Sequence, residues 1–117
     1  MHDINFITNE ILSEEEVKMV VSDVAEEYGM TVEQIKSKSR KSKFSVPRKC
    51  AIYILHEYGV PLAQAAHAVG LVDHSTAYTH YKYMKEIVTY PEIYLFILRD
   101  NEKQTVQFIK DYKVKAL

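Results

Sequence analysis

The sequence predicts an all-α fold, a bundle of about six helices, and three observations predict it. Apolar residues recur at three- and four-residue steps in successive runs, the spacing of one helix face. Only three glycines and three prolines interrupt 117 residues. The runs are bracketed by residues suited to helix ends, with Ser13, Thr31, Ser45 and Asp73 ahead of them and Gly29, Gly59 and Gly70 behind.

The length fits one domain with a real core. The expected organisation is a lead-in over residues 1–12, a helical domain over 13–90 and a helical C-terminal extension over 91–117. The single Cys50 excludes an internal disulfide and a cysteine-rich zinc site, and its apolar neighbours predict a buried thiol in a reducing cytoplasm. The opening MHDINFITNE has no basic stretch followed by an apolar core, so no signal peptide is expected. No apolar run approaches the ~20 residues of a membrane span, so no membrane partner is expected.

Net charge is −1, but the mean hides a segregation. Residues 10–33 are acidic, with Lys18 the one base among them. Residues 36–49 carry Lys36, Lys38, Arg40, Lys41, Lys43, Arg48 and Lys49 and no acid. A concentrated positive segment of this kind is an electrostatic footprint for nucleic acid.

Ser13 and Glu16 have the spacing of a capping box, and Val17, Val20, Val21, Val24, Ala25 and Tyr28 form the stripe of the helix they open. Glu14, Glu15 and Glu16 suit its positive end. Thr31 and Gln34 repeat the box and start a short helix with Val32 and Ile35. The following SKSRKSKFS has no apolar period and is expected to be a basic loop. Ser45 is expected to cap the next helix, with Pro47 in its first turn and Cys50, Ala51, Ile54, Leu55 and Tyr58 inward. Arg48 and Lys49 near that helix start oppose its dipole, which a bound phosphate would explain.

Pro61 opens a short Ala-rich helix with Leu62, Ala65, Ala66 and Val69 apolar. Gly70 then marks a turn, Asp73 an N-cap, and Ala77, Tyr81, Met84 and Val88 the stripe of a second helix. Tyr90-Pro91 ends it. Ile93, Ile97, Phe108 and Ile109 belong to one or two closing helices expected to cap the core, and Lys113-Val114-Lys115 is expected to fray. The nine tyrosines fall mostly at core or boundary spacing.

The stretch Gly70–Met84, GLVDHSTAYTHYKYM, has the outline of a helix-turn-helix. In that motif the first turn of the second helix, here His74, Ser75 and Thr76, reaches base edges in the major groove. The same outline also serves a helical hairpin with a polar surface. A basic arm ahead of it can enter the minor groove.

With these elements in order, residues ~13–88 resemble the C-terminal DNA-binding domain, domain IV, of the bacterial chromosomal replication initiator DnaA. The resemblance rests on the basic loop SKSRKSK, Pro47-Arg48-Lys49, Leu62, Gly70 and Asp73-His74-Ser75-Thr76, in the family's order and spacing. It implies a Trp-repressor-like helix-turn-helix fold and duplex DNA binding linked to replication initiation or its regulation. It implies Arg40 in the minor groove, Arg48 on bases and phosphate, Lys49 at a polar contact position, and Asp73, His74, Ser75 and Thr76 as major-groove readers. Leu62 corresponds to a residue whose backbone holds a phosphate, and Thr79 to a position often occupied by His. Lys36, Lys38, Lys41, Lys43 and Lys82 complete the expected DNA-binding set.

Two departures bear on the target sequence. Gly70-Leu71-Val72 stands where the family usually has Gly-Gly-Arg or Gly-Gly-Lys, and Ser75 stands for a Thr whose methyl can touch a thymine methyl. The chain has no G-x-x-x-x-G-K-[ST] stretch, so it is expected to act as a stand-alone binding module. No enzyme activity, cofactor or metal is expected. His74 and His80 lie six apart on one helix and point to different sides, and no nucleophile elbow or phosphate-cradling loop is present. The alternative expectation is a protein-interaction or transcription-regulatory module of the same fold, whose acidic helix or C-terminal segment binds a replication or regulatory protein.

Overall fold

The computed structural model describes residues 12–94 and 96–114. Seven helices lie among these residues, and no strand: α1 Glu14–Glu27, α2 Val32–Ile35, α3 Ser42–Glu57, α4 Leu62–Ala68, α5 His74–Thr89, α6 Pro91–Tyr94 and α7 Asp100–Asp111. The expected all-α bundle is present. The expected lead-in lies outside the described residues apart from Leu12, which packs on the core.

The first two helices start as their cap spacings dictate. The Glu16 N–H donates to Ser13 Oγ at 3.1 Å and the Ser13 N–H to Glu16 Oε1 at 2.9 Å. Thr31 and Gln34 form the same pair at 3.1 and 2.8 Å. Val17, Val20, Val21, Val24 and Ala25 of α1 are buried.

α3 is the axis, packed against α1, α2, α4, α5 and α7. Its burial is wider than the stripe Cys50–Tyr58 predicted: Ile52 and Tyr53 are buried beside Cys50, Ala51, Ile54 and Leu55. A helix enclosed by several others is apolar on most sides, which a single-stripe pattern understates.

The start of α3 differs from the expectation. Lys41, not Ser45, occupies the N-cap, and Pro47 lies inside the helix. The Phe44 and Ser45 N–H groups both donate back to the Lys41 carbonyl at 2.9 Å, so the turn ahead of Pro47 is already helical. A tertiary contact fixes it: Asn101 Nδ2 of α7 donates to Ser42 Oγ at 3.0 Å. Pro47 therefore sits where a helix would use the N–H that it lacks. The basic loop is correspondingly shorter than SKSRKSKFS, with Lys43 and Phe44 on α3.

α7 joins the core through Val106 and the fully buried Thr105, whose hydroxyl meets that of Tyr28. Buried Glu102 accepts from Tyr83 Oη at 2.5 Å, and Tyr112 Oη donates to Asp23 at 2.7 Å. Phe108 and Ile109 pack on the core as expected. Ile93 and Ile97 do not: they are 70% and 71% exposed, beside Phe96 at 92%. The short connection from α5 to α7 turns Tyr94 and Leu98 inward instead. The expected fraying also needs correcting, because Val114 packs on the core and its N–H donates to Tyr58 Oη at 3.3 Å, while Lys115 lies outside the described residues.

Candidate nucleic-acid interface

The basic segment between α2 and α3 alternates. Lys36, Lys38 and Arg40 are exposed, whereas Ser37 and Ser39 are half-buried. Arg48, nearly two turns into α3, explains the alternation. Its side chain is 5% exposed. Nε donates to the Ile35 carbonyl at 2.5 Å, Nη1 to the Ser39 carbonyl at 2.7 Å, and Nη2 to the Ser37 carbonyl and, at 3.1 Å, to Ser37 Oγ. Burial lowers the guanidinium pKa from its ordinary value. Loop oxygens, not a helix-end partner, thus take its donors.

A second contact ties the loop to the helix-turn-helix. Gly70 has φ +82°, and a Cβ built on it would stand 2.5 Å from the Lys36 carbonyl oxygen and 2.9 Å from Lys36 Cα. Only glycine combines that conformation with so close a backbone approach. The turn between α4 and α5 is thereby pressed onto the start of the basic loop.

α5 opens as its sequence dictates. Asp73 Oδ1 accepts from the Ser75 N–H at 3.0 Å and from Ser75 Oγ at 2.8 Å, and Oδ2 accepts from Thr76 Oγ1 at 3.4 Å. These bonds, the Ser75 hydroxyl first, hold the Asp73 carboxyl below the usual carboxylate range. With their protons committed to Asp73, the Ser75 and Thr76 hydroxyls offer lone pairs outward. His74 and Ser75 are exposed, as are Thr79 and Lys82 further along. Thr79 Oγ1 donates to the Ser75 carbonyl at 3.1 Å. Tyr78 is 50% exposed, off the core spacing expected of the tyrosines, and Lys82 Nζ sits 5.4 Å from its ring centre.

The loop and the start of α5 face one another across a groove of about 780 Å³. Lys38, Arg40, Arg48 and Lys49 line it from one side, with Ser37 and Ser39 between them, and Val72, Asp73 and Thr76 line it from the other. His80 also lines it, a residue absent from the sequence-based candidates. Burial, then Lys49 and Arg48, push its imidazole down to about 4, so it is neutral at neutral pH. The spacing Asp73, Thr76, His80 is one helix face and would have pointed to it.

Beyond Lys49, which lines the groove, the remaining candidates are dispersed. Lys49 is half-buried with Nζ 4.7 Å from the Tyr83 ring centre, and burial lowers its pKa. Lys41 and Lys43 are exposed, Lys43 lying over the Phe44 ring. Lys36 is exposed and lines a different cleft, with Gln64 and His67. Leu62 begins α4 and packs against the core.

Compared with protein families, residues 17–83 match the one described as bacterial dnaA protein helix-turn-helix. The chain belongs to that family. The match runs from α1 into α5 and takes in both walls of the groove, leaving α6 and α7 beyond it. No curated protein and no solved structure matches the chain. As a dnaA-type helix-turn-helix, it is a module of the DNA-binding class. No described helix is long and apolar enough to cross a membrane.

Proposed function

We propose that the protein binds double-stranded DNA sequence-specifically, in a role linked to replication initiation or its regulation. One observation carries this: the Arg40 loop and the start of α5 wall a single groove, and His74 is exposed in the first turn of that helix. On this reading Arg40 lies in the minor groove while His74, Ser75, Thr76 and Thr79 meet base edges in the major groove. Lys38, Lys41 and Lys82 take phosphates. Neutral His80, which keeps one donor and one acceptor nitrogen, extends the polar surface. If about five phosphates are neutralised, log affinity falls against log salt with a slope of about −4.5. Selection of binding sites from random duplexes, followed by a salt titration on the winner, is the test. No enriched sequence, or a slope near zero, would remove the proposal.

A second reading, a module that binds a replication or regulatory protein, is favoured by the exposed Ile93, Phe96 and Ile97. Replacing all three by Ser leaves duplex affinity intact on the first reading. It abolishes partner binding on the second.

A further inference from the structure

We infer that Arg48 is a positioning residue: it acts on DNA through the loop, chiefly through Arg40, and makes no DNA contact of its own. The inference rests on the DNA-binding reading above. A guanidinium has five N–H donors, and the bonds to Ile35, Ser37 and Ser39 use four of them. At 5% exposure the group presents little surface to an incoming phosphate. A phosphate bonded there would have to displace loop carbonyls, leaving buried acceptors without donors.

The pattern of its partners shows what the fork accomplishes. It grips the carbonyls of residues 35, 37 and 39, the last residue of α2 and two alternate residues of the loop. Fixing alternate carbonyls fixes the register of a non-helical chain, because neighbouring side chains point to opposite sides. Ser37 and Ser39 are half-buried, and Lys38 and Arg40 are exposed. Slipping the loop by one residue would exchange the exposed cations with the half-buried serines. The Gly70–Lys36 contact anchors the loop's start, so Arg48 has only the following residues to hold. Its bonded partners are neutral oxygens, so nothing in this role needs the charge as such; it needs a planar fork, which lysine lacks.

The test is a double-mutant cycle on the selected duplex with Arg48→Lys and Arg40→Ala. Lysine keeps a charge for a phosphate but cannot bridge three carbonyls. Arg40→Ala should weaken specific binding roughly tenfold or more. Arg48→Lys should do nearly the same, and adding it to Arg40→Ala should cost less than about twofold more, since residues acting through one contact are not additive. The salt slope should fall once, not twice. In the free protein, amide exchange over residues 38–41 should speed up in Arg48→Lys. Should that variant not fold, the wild-type Arg48 Nε–H resonance decides: it should be protected from exchange and unmoved by DNA. Wild-type affinity in Arg48→Lys, multiplying losses in the cycle, or a large DNA-induced shift of that resonance would overturn the inference while leaving DNA binding intact. Absence of salt-sensitive binding by the wild type would instead remove the functional proposal beneath it.

Discussion

The α5 wall of the groove is built by bonds between near neighbours: Asp73 with Ser75 and Thr76, and Thr79 with Ser75. The loop wall is held from outside, by Arg48 on α3 and by Gly70 in the turn after α4. The first wall is a helix start, whose free N–H groups a side chain can satisfy locally. The second is irregular backbone with no period of its own. Its carbonyls must find donors from elsewhere in the fold. The groove therefore combines a self-organising half and a dependent half, and the dependent half carries Arg40.

This contrast can be broken most forcefully at Gly70. Gly70→Ala places a Cβ into the Lys36 backbone at φ +82° and should cost about 2–4 kcal/mol of stability, with specific binding falling beyond what unfolding explains. Gly59 has φ +92° but open space around it, so Gly59→Ala should cost only about 1–2 kcal/mol and leave DNA affinity per folded molecule unchanged. Equal binding losses in the two variants would show that the Gly70 contact does not organise the loop. Thermal unfolding with a duplex titration measures both.

His74→Ala tests the self-organised wall. Its side chain is exposed, so stability should hold while specific affinity drops by about 1–3 kcal/mol and affinity for random duplex stays constant. Asp73→Ala should cost about 1 kcal/mol of stability through the lost cap, with helix signal melting earlier. A change confined to DNA affinity would place Asp73 among the readers and not the caps.

The smallest effect concerns pH. The folded His80 pKa, about 4, lies below the ordinary value of 6.5. Between those values the unfolded chain binds the extra proton, so His80 lowers stability as pH falls from 6.5 towards 4 and has no effect above that window. His80→Gln should flatten this part of a plot of Tm against pH. An unchanged slope would mean that His80 is freely solvated.

How far the sequence reaches follows the same division. The caps at Ser13, Thr31 and Asp73 were legible because donor and acceptor lie within one turn. Ser45 carried the same kind of signal and did not become a cap, because Asn101 fixes the helix start at Ser42. Ile93 and Ile97 have helical spacing but lie outward, since periodicity identifies a face without saying what covers it. For Arg48 nothing local along the chain balances a cation at that place. Its balance comes from carbonyls nine to thirteen residues back.

The all-α fold, the helix-turn-helix outline, the opening of α5 and the concentration of positive charge were determined by the sequence itself, because each depends on residues within a turn or two of one another. The inward turn of Arg48, the outward register of Lys38 and Arg40, and the place of His80 on the groove were decided only by tertiary structure. They depend on which backbone groups the packing of α3 and the Gly70 turn leaves in need of partners, and no spacing along the chain encodes that.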